Sequence, residues 1–458
     1  MKKLFGDKAF YAMVLSISIP IIIQNGITNF VGLLDNIMIG QMGTLQISSV
    51  SIITQLITVF NLTIFGAMGG PGIFCAQYAG NRDDEGIQHC FRYKLYIGLF
   101  FYLIATFIFL LWGEELMLLF LNNANNSAAD IAEVIKYGKI YLDIMLIGLG
   151  PFMLVQVYSS TLRENSETKL PMEAGMVAVL VNFVGNYFLI FGKCGFPKLG
   201  IAGAAIATVI SRFAELLIIV YGAHKNKANS YLQGVYKSFK IPFKLTKIIS
   251  MKSAPLIANE ILWSSGMAIL TQCYSVYGIE AVAASNICAT VSNFFMIVCY
   301  AMGNATSIII GQILGKDERE EAIDSAIKLA VLDTLLCIVI GLILIATSGI
   351  IPQAYNTTDT VKHLSTALLI IFAANMPITA MYMSAYFTIR AGGNSLLTFL
   401  MDCCYTWAIT IVVAFFLTRC TNLTLIPVYL IVTLTNVPKS IFGIYVLVKG
   451  TWAKNVIF

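Results

Sequence analysis

Shifted by 235 positions, residues 20–85 of this sequence lie over residues 255–320 without a gap. Pro20 then falls on Pro255, Gly43 on Gly278, Gln77 on Gln312, Gly80 on Gly315 and Glu85 on Glu320. Further along, a shift of 227 lays Arg163 over Arg390 and Arg212 over Lys439. Few other positions agree. The agreement is concentrated at helix breaks and helix ends, where backbone geometry rather than bulk hydrophobicity selects the residue. In an apolar chain, a duplicated half implies two halves that rock around one shared site, which is a transporter's layout.

The chain is apolar enough for that argument. Its 458 residues are 58% hydrophobic and 12% charged, against about 25% charged in a soluble domain. Stretches of the ~20 residues needed to cross a bilayer recur along it. Twelve are expected, near 11–39, 47–79, 94–112, 138–162, 171–192, 200–222, 253–277, 281–313, 327–347, 364–389, 396–418 and 424–448. The expected fold class is an all-α polytopic membrane protein of 12 transmembrane helices, built as two six-helix parallel repeats. An even number of spans per half makes both halves enter from the same side, related by an axis along the membrane normal. The expected organisation is a first half at 1–224, a basic cytoplasmic linker at 225–250 and a second half at 251–458.

Charge placement orients the chain. With the N-terminus inside, twenty-three of the twenty-nine Lys and Arg lie at cytoplasmic loops, tails or inner helix ends. The six outside are Lys136, Lys139, Lys193, Lys198, Lys362 and Arg419. Both termini are therefore expected in the cytoplasm, and the Lys225–Lys252 cluster needs no nucleic acid to explain it. No small-residue cleavage site follows the basic head at Met1–Lys8, so the first span reads as a retained helix rather than a signal peptide. The 113–135 loop, with its LMLLFL run and Asn-rich turn, suggests a short interfacial helix.

The ten cysteines show no CxxC and no Cys/His pairing at metal spacing. Cys194 and Cys420 fall in equivalent outer loops, where pairing is geometrically open. No P-loop, GxSxG or HExxH is present, so the expectation is a non-enzyme driven by a gradient or a partner.

Polar residues inside spans are the candidate site. Span 1 carries Gln24, Thr28 and Asp35 at helical spacing, flanked by Asn25 and Asn29. Span 2 carries Ser51, Gln55, Thr58 and Asn61, and span 8 carries Asn286, Thr290 and Asn293. These faces read either as walls of a hydrated cavity or as interhelical hydrogen-bond glue. Asp35 is an acid well inside a span, which by default marks an ion or substrate path; its alternative is a helix-end cap near Gly40. Its repeat partner is Leu270, so the halves are not chemically equivalent. Asn182 and Asn186 share one face of span 5 and would suit Asp35 as partners if the two spans pack together. Glu260 follows Pro255 on span 7 and aligns with Asn25. Asp402 pairs with Lys439 or Arg390 on this reading, and Asp333, Glu215 and Asp143 read as structural. Met153, Tyr158, Trp263, Tyr274 and Trp407 are candidates for a plastic apolar pocket able to hold an organic cation.

Three marks carry a resemblance: NFVGNYFLIFGKCGFPKLGIAGAAIATVISR at 182–212, the P-x14-D-N-I-M-I-G-Q-M-G run from Pro20 to Gly43, and R-x-x-[GS]-x-[ST] at Arg163–Thr168 and Arg390–Ser395. With them the chain resembles the multidrug and toxic compound extrusion (MATE) family, prokaryotic type. The resemblance implies V-shaped halves around a cavity, and an antiporter that exports cationic amphiphiles against H⁺ or Na⁺ with no other cofactor. It implies a cation-coupling and substrate site at Asp35, Asn182 and Asn186, with Glu260 about one turn from the second-half acid of one branch and Pro20 as hinge; Thr28, Gln55 and Thr58 join the site on the polar-face reading above. Asp35 is the residue that would hold Na⁺. Asn186 stands where many prokaryotic members have Asp, and Asn375 and Thr379 stand where one branch has Tyr and Asp. The expected partners are an organic cation and membrane lipid, for a monomer in the plasma (inner) membrane. A lipid-linked sugar flippase of the same superfamily is the alternative; it needs cations in its cavity, whereas the candidate charges here are acidic.

Overall fold

A computed structural model describes residues 4–121, 128–355 and 357–457. Helices account for the spans. They are α1 (Lys8–Gly40), α2 (Thr44–Asn81), α3 (Asp84–Leu121), α4 (Ala128–Glu164), α5 (Lys169–Phe191), α6 (Ile201–Lys225), α7 (Phe243–Ser275), α8 (Ile279–Phe295), α9 (Ile297–Gly315), α10 (Arg319–Thr347), α11 (Asp359–Ala391), α12 (Ser395–Phe399), α13 (Ile411–Cys420), α14 (Leu425–Leu434) and α15 (Asn436–Lys449). The chain is a multi-pass membrane protein: among the described residues, 11 helices are long and apolar enough to cross a membrane. The expected seventh span is absent from that set. Its helix, α7, is long enough at 33 residues, but Ser253, Asn259, Glu260, Ser264 and Ser265 dilute the apolar character of its lysine-free part.

Three expected spans are interrupted. The eighth is α8 and α9 joined through Met296 alone. The twelfth is α14 and α15 joined at Thr435, three residues before Pro438, whose ring removes a helix hydrogen bond there. The eleventh contains π-helical turns over Leu400–Cys404 and Thr406–Thr410 between α12 and α13. By contrast α1 runs unbroken through the buried Pro20. α3 kinks at Trp112 (φ −122°, ψ 16°), which sets its last turns, through Leu121, apart from the span. The Asn-rich turn expected beyond it, 122–127, lies outside the described residues.

The chain forms two compact units: Met1–Ile22, Ala76–Asp83 and Ile249–Phe458 in one, Ile23–Cys75 and Asp84–Ile248 in the other. The division crosses α1 two residues after Pro20. Within the first unit, Val14, Ile17 and Ile21 of α1 pack into a core with Ile309, Leu329, Ile389 and Trp452. The C-terminal end of α2 belongs there for a specific reason. A Cβ on Gly80 would overlap the Gln312 carbonyl oxygen, and one on Gly315 would overlap that of Gln77, so both backbones touch only because both residues are glycine. Gln77 also binds the carbonyls of Ala391 (3.1 Å) and Lys454 (3.2 Å) and accepts from the Val456 N–H (2.7 Å).

In the second unit the linker is not a loose tether. Tyr231, Leu232 and Val235 are buried. Gln88 and Arg92 of α3 donate to the carbonyls of Gln233 (3.3 Å) and Val235 (3.0 Å), and Tyr96 to that of Phe239 (2.9 Å). Cys194 and Cys420 are both free, exposed thiols.

Candidate functional site around Asp35

α5 lies beside the C-terminal part of α1. Asn186 Nδ2 donates to Asp35 Oδ1 at 2.6 Å. With its amide nitrogen turned toward the acid, Asn182 donates to Asp35 Oδ1 (2.9 Å) and Oδ2 (3.2 Å) while its oxygen accepts from the Thr208 hydroxyl (3.1 Å). An ionised carboxylate selects that orientation, since the amide oxygen would otherwise face carboxylate oxygens. Asn182 and Asn186 are buried, at 4% and 1% exposure, and Asp35 is half-buried. Asp35 makes no ion pair among the described residues. The helices explain the arrangement: Asn182 and Asn186 are one turn apart on α5, and Thr208 reaches them from α6. Both amides turn nitrogen toward Asp35, so a cation at its carboxylate gains Asn182 or Asn186 as a ligand only if that amide turns its oxygen inward.

The other span-1 polar residues divide. Gln24 is glue: Arg163 donates to its oxygen at 2.8 Å, and its nitrogen donates to the Pro171 carbonyl at 3.2 Å. Thr28 is exposed and bonds only its own helix, to the Gln24 carbonyl at 2.9 Å. Gln55 and Thr58 are exposed on one face of α2 with Ser51. In the other unit, Asn286, Thr290 and Asn293 form an exposed face on α8. Exposure argues against glue for these faces, because a side chain bonding a neighbouring helix would be covered by it.

Glu260 is half-buried on α7 and has no hydrogen bond or ion pair among the described residues. Asn375 Nδ2 donates to Thr379 Oγ1 at 3.2 Å, one turn apart on α11. Nothing in the structure brings these three together. The apolar pocket candidates are mostly core: Met153, Tyr158 and Tyr274 are buried, and Tyr158 bonds His224 at 3.0 Å and the Tyr236 hydroxyl. Trp407 donates to the Leu262 carbonyl at 2.9 Å. Lys139 pairs with Glu114 on α3, not with Asp143.

Two clusters were not legible in the sequence, and a third, Asp402 with Lys439, is one of the two pairings expected for Asp402. Lys94, fully buried on α3, pairs with Glu164 of α4 at 2.6 Å and bonds Ser160 and Thr161. Asp402 pairs with Lys439 at 2.8 Å inside a four-helix network. Cys299, Asp333 and Cys337 bring three buried ligand atoms within 4.8 Å, a set that could hold a metal ion; the one-turn spacing of Asp333 and Cys337 was its only sequence signal.

The MatE family profile matches residues 20–188 and again residues 255–416, so both copies begin at the aligned prolines. The chain belongs to the MatE family. A probable multidrug resistance protein NorM of Thermotoga maritima is 21% identical over 445 residues, covering 97% of this chain and 93% of its own. A probable multidrug resistance protein, YoeA, of Bacillus subtilis is 25% identical over 90% of this chain and 88% of its own. Among solved structures, a MATE transporter in the bent conformation superposes with a TM-score of 0.85 at 18% identity, covering 98% of each chain. A Pyrococcus furiosus transporter of the MOP superfamily, described as having a binding pocket of reverse polarity, superposes at 0.83 with 17% identity, over 96% of this chain and 95% of that one. At those identities the MatE fold is what the structures establish.

Proposed function

We propose that this MatE protein exports cationic amphiphilic compounds by antiport against H⁺ or Na⁺, with no chemical step on the substrate. The carrying observation is Asp35: an acid within a membrane helix, gripped by two amides and left without an ion pair among the described residues. Such an acid can hold a proton, a sodium ion or an organic cation, one excluding another. The names of the NorM and YoeA relatives support drug efflux as the process. The exposed polar faces of α2 and α8 support a water-filled path, since polar groups facing lipid tails would lack partners.

On this reading the ion and the substrate alternate at Asp35, and Asn182 and Asn186 hold the carboxylate in place. A protonated Asp35 donates to the Asn182 oxygen, while an ionised one accepts from its nitrogen. The amide therefore follows the charge, and Pro20 supplies the weak point at which α1 flexes. The two sequence halves act as rocking lobes, in a monomer of the plasma membrane with both termini cytoplasmic. Exchange of one H⁺ for one monovalent drug moves no net charge, so a membrane potential, worth about 2.3 kcal/mol per charge per 100 mV, contributes nothing. A pH or Na⁺ gradient then drives the cycle.

The flippase reading is weaker on a specific observation. A pyrophosphate-linked lipid needs cationic side chains, and the amide-lined carboxylate of Asp35 offers it none. The reverse-polarity Pyrococcus transporter is a reminder that the fold alone does not choose the sign of the substrate.

The test is ethidium efflux from cells expressing the protein. Asp35→Asn should abolish efflux at unchanged membrane yield, and full efflux by that variant would overturn the Asp35 mechanism. Vesicles with an imposed pH or Na⁺ gradient identify the ion.

A further inference from the structure

Asp402 lies in the first π-helical turn between α12 and α13, eighth residue of its span and so about 10 Å inside it. It is 7% exposed. Three other helices close on it. Lys439 of α15 donates to Oδ1 at 2.8 Å, the Tyr382 hydroxyl of α11 donates to the same oxygen, and Asn259 of α7 donates to Oδ2 at 3.1 Å. Lys439 is 6% exposed, and its ammonium lies 3.7 Å from the centre of the Tyr382 ring, so carboxylate and ring face hold it together. Asn259 also reaches the Tyr386 hydroxyl at 3.4 Å.

A buried ion pair is poor evidence of stabilisation, because well-packed apolar residues do the same work without desolvating two charges. The composition of this pair is more informative. Asp35 and Asp402 are each dressed by neutral donors, two amides for the first, a tyrosine and an amide for the second. They differ in direct contact with a cation: Lys439 touches Asp402, whereas Arg212, at the repeat position of Lys439, acts on Asp35 from beyond ion-pair distance. The pair is also confined to one repeat, since the shift that lays Arg212 over Lys439 lays Gly175 over Asp402. π-Helical turns occur most often where a helix is distorted to aim a functional group, and here the distortion spans the acid.

We infer that Lys439 is a tethered cation. Its ammonium occupies at Asp402 the place that a free monovalent cation, H⁺ or Na⁺, takes at Asp35, so the second repeat performs no ion exchange of its own. This rests on the reading of Asp35 as the coupling acid, and it explains why Glu260, Asn375 and Thr379 are not gathered into a second site.

The titratable groups around Asp402 are Lys439 on α15, Tyr382, Tyr386 and Arg390 on α11, Glu260 on α7 and Tyr300 on α9. The experiment therefore needs an Asp402 arm to separate its response from that of Glu260. The readout is the unfolding temperature of the purified full chain, in sodium or choline salt at equal ionic strength, and at pH 8 or 6. Asp35→Asn alone should show no sodium-dependent rise. Adding Lys439→Met should create one of about 3 °C or more in roughly 0.1 M sodium, or a similar rise on acidification if the proton takes the place. Adding Asp402→Asn to that variant should remove it.

A folded Lys439→Met variant that responds to neither cation overturns the inference. So does a Lys439→Met variant that unfolds in every condition while the neutral Asp402→Asn/Lys439→Met variant folds. A sodium response in Asp35→Asn that needs Asp402 also overturns it. The unfolding readout is independent of dye export, so a failure of export would count against the transport reading and leave Lys439 as the cation of Asp402 standing.

Discussion

Gly80 and Gly315 make reciprocal contacts: each lies against the carbonyl of the glutamine three residues before the other, Gln312 for Gly80 and Gln77 for Gly315. A reciprocal pair of this kind implies a local pseudo-two-fold axis between the ends of α2 and α9, as a parallel repeat requires.

Gly80→Ala should therefore be costly out of proportion to one methyl group. The obstructing atom is backbone, which cannot rotate away, so a loss of about 1–3 kcal/mol is expected. Thermal unfolding in detergent should fall by several degrees for Gly80→Ala and for Gly315→Ala alike. Gly349→Ala, with open space around its Cβ, should change nothing.

Gln77 ties Lys454 and Val456 to the α2 end by two hydrogen bonds and Ala391 by a third. Gln77→Ala leaves the Val456 N–H and two carbonyls without that partner, at about 1 kcal/mol per bond. The expected outcome is faster proteolytic trimming of the C-terminal residues, read by mass spectrometry, with dye efflux largely retained.

The exposed faces of α2 and α8 should be wet. Single cysteines at Gln55, Thr58, Asn286 and Asn293 should react with a charged, membrane-impermeant maleimide, whereas one at Val59, an exposed apolar side chain, should not. Cys194 and Cys420 supply the background to be removed first. Equal labelling at Thr58 and Val59 would defeat the idea of a polar path.

Asn186→Asp would place a second carboxyl one turn from Asn182 and against Asp35 Oδ1. Efflux should persist and become sensitive to membrane potential, because a second ion per cycle adds a net charge worth about 2.3 kcal/mol per 100 mV. Vesicles clamped with potassium and valinomycin provide the measurement. A rate unchanged by potential would mean that the added acid binds no second ion.

Much of the fold could be read in advance because its rules are local. Apolar length marks the spans, the paired prolines and glycines mark the repeat, and α7 is less apolar through its own Asn259, Glu260 and serines. The site was partly readable. Asn182 and Asn186 share a helix face by spacing alone, which is why Asp35 could be suggested as their partner. Gln24 could not be separated from Thr28 in the same way, because one faces Arg163 and the other faces outward, and helical spacing carries no information about neighbours.

The sequence by itself determined that this is a duplicated, polytopic MatE chain with one conspicuous intramembrane acid at Asp35. Those properties follow from hydropathy, from period and from residues that backbone geometry demands. The three-dimensional packing decided which charges are free and which are already answered. Lys94 meets Glu164, 70 residues away, and Lys439 meets Asp402, 37 residues away. An ammonium and a carboxylate neutralise each other only when helices distant in sequence bring them within about 3 Å, and no local pattern encodes that meeting.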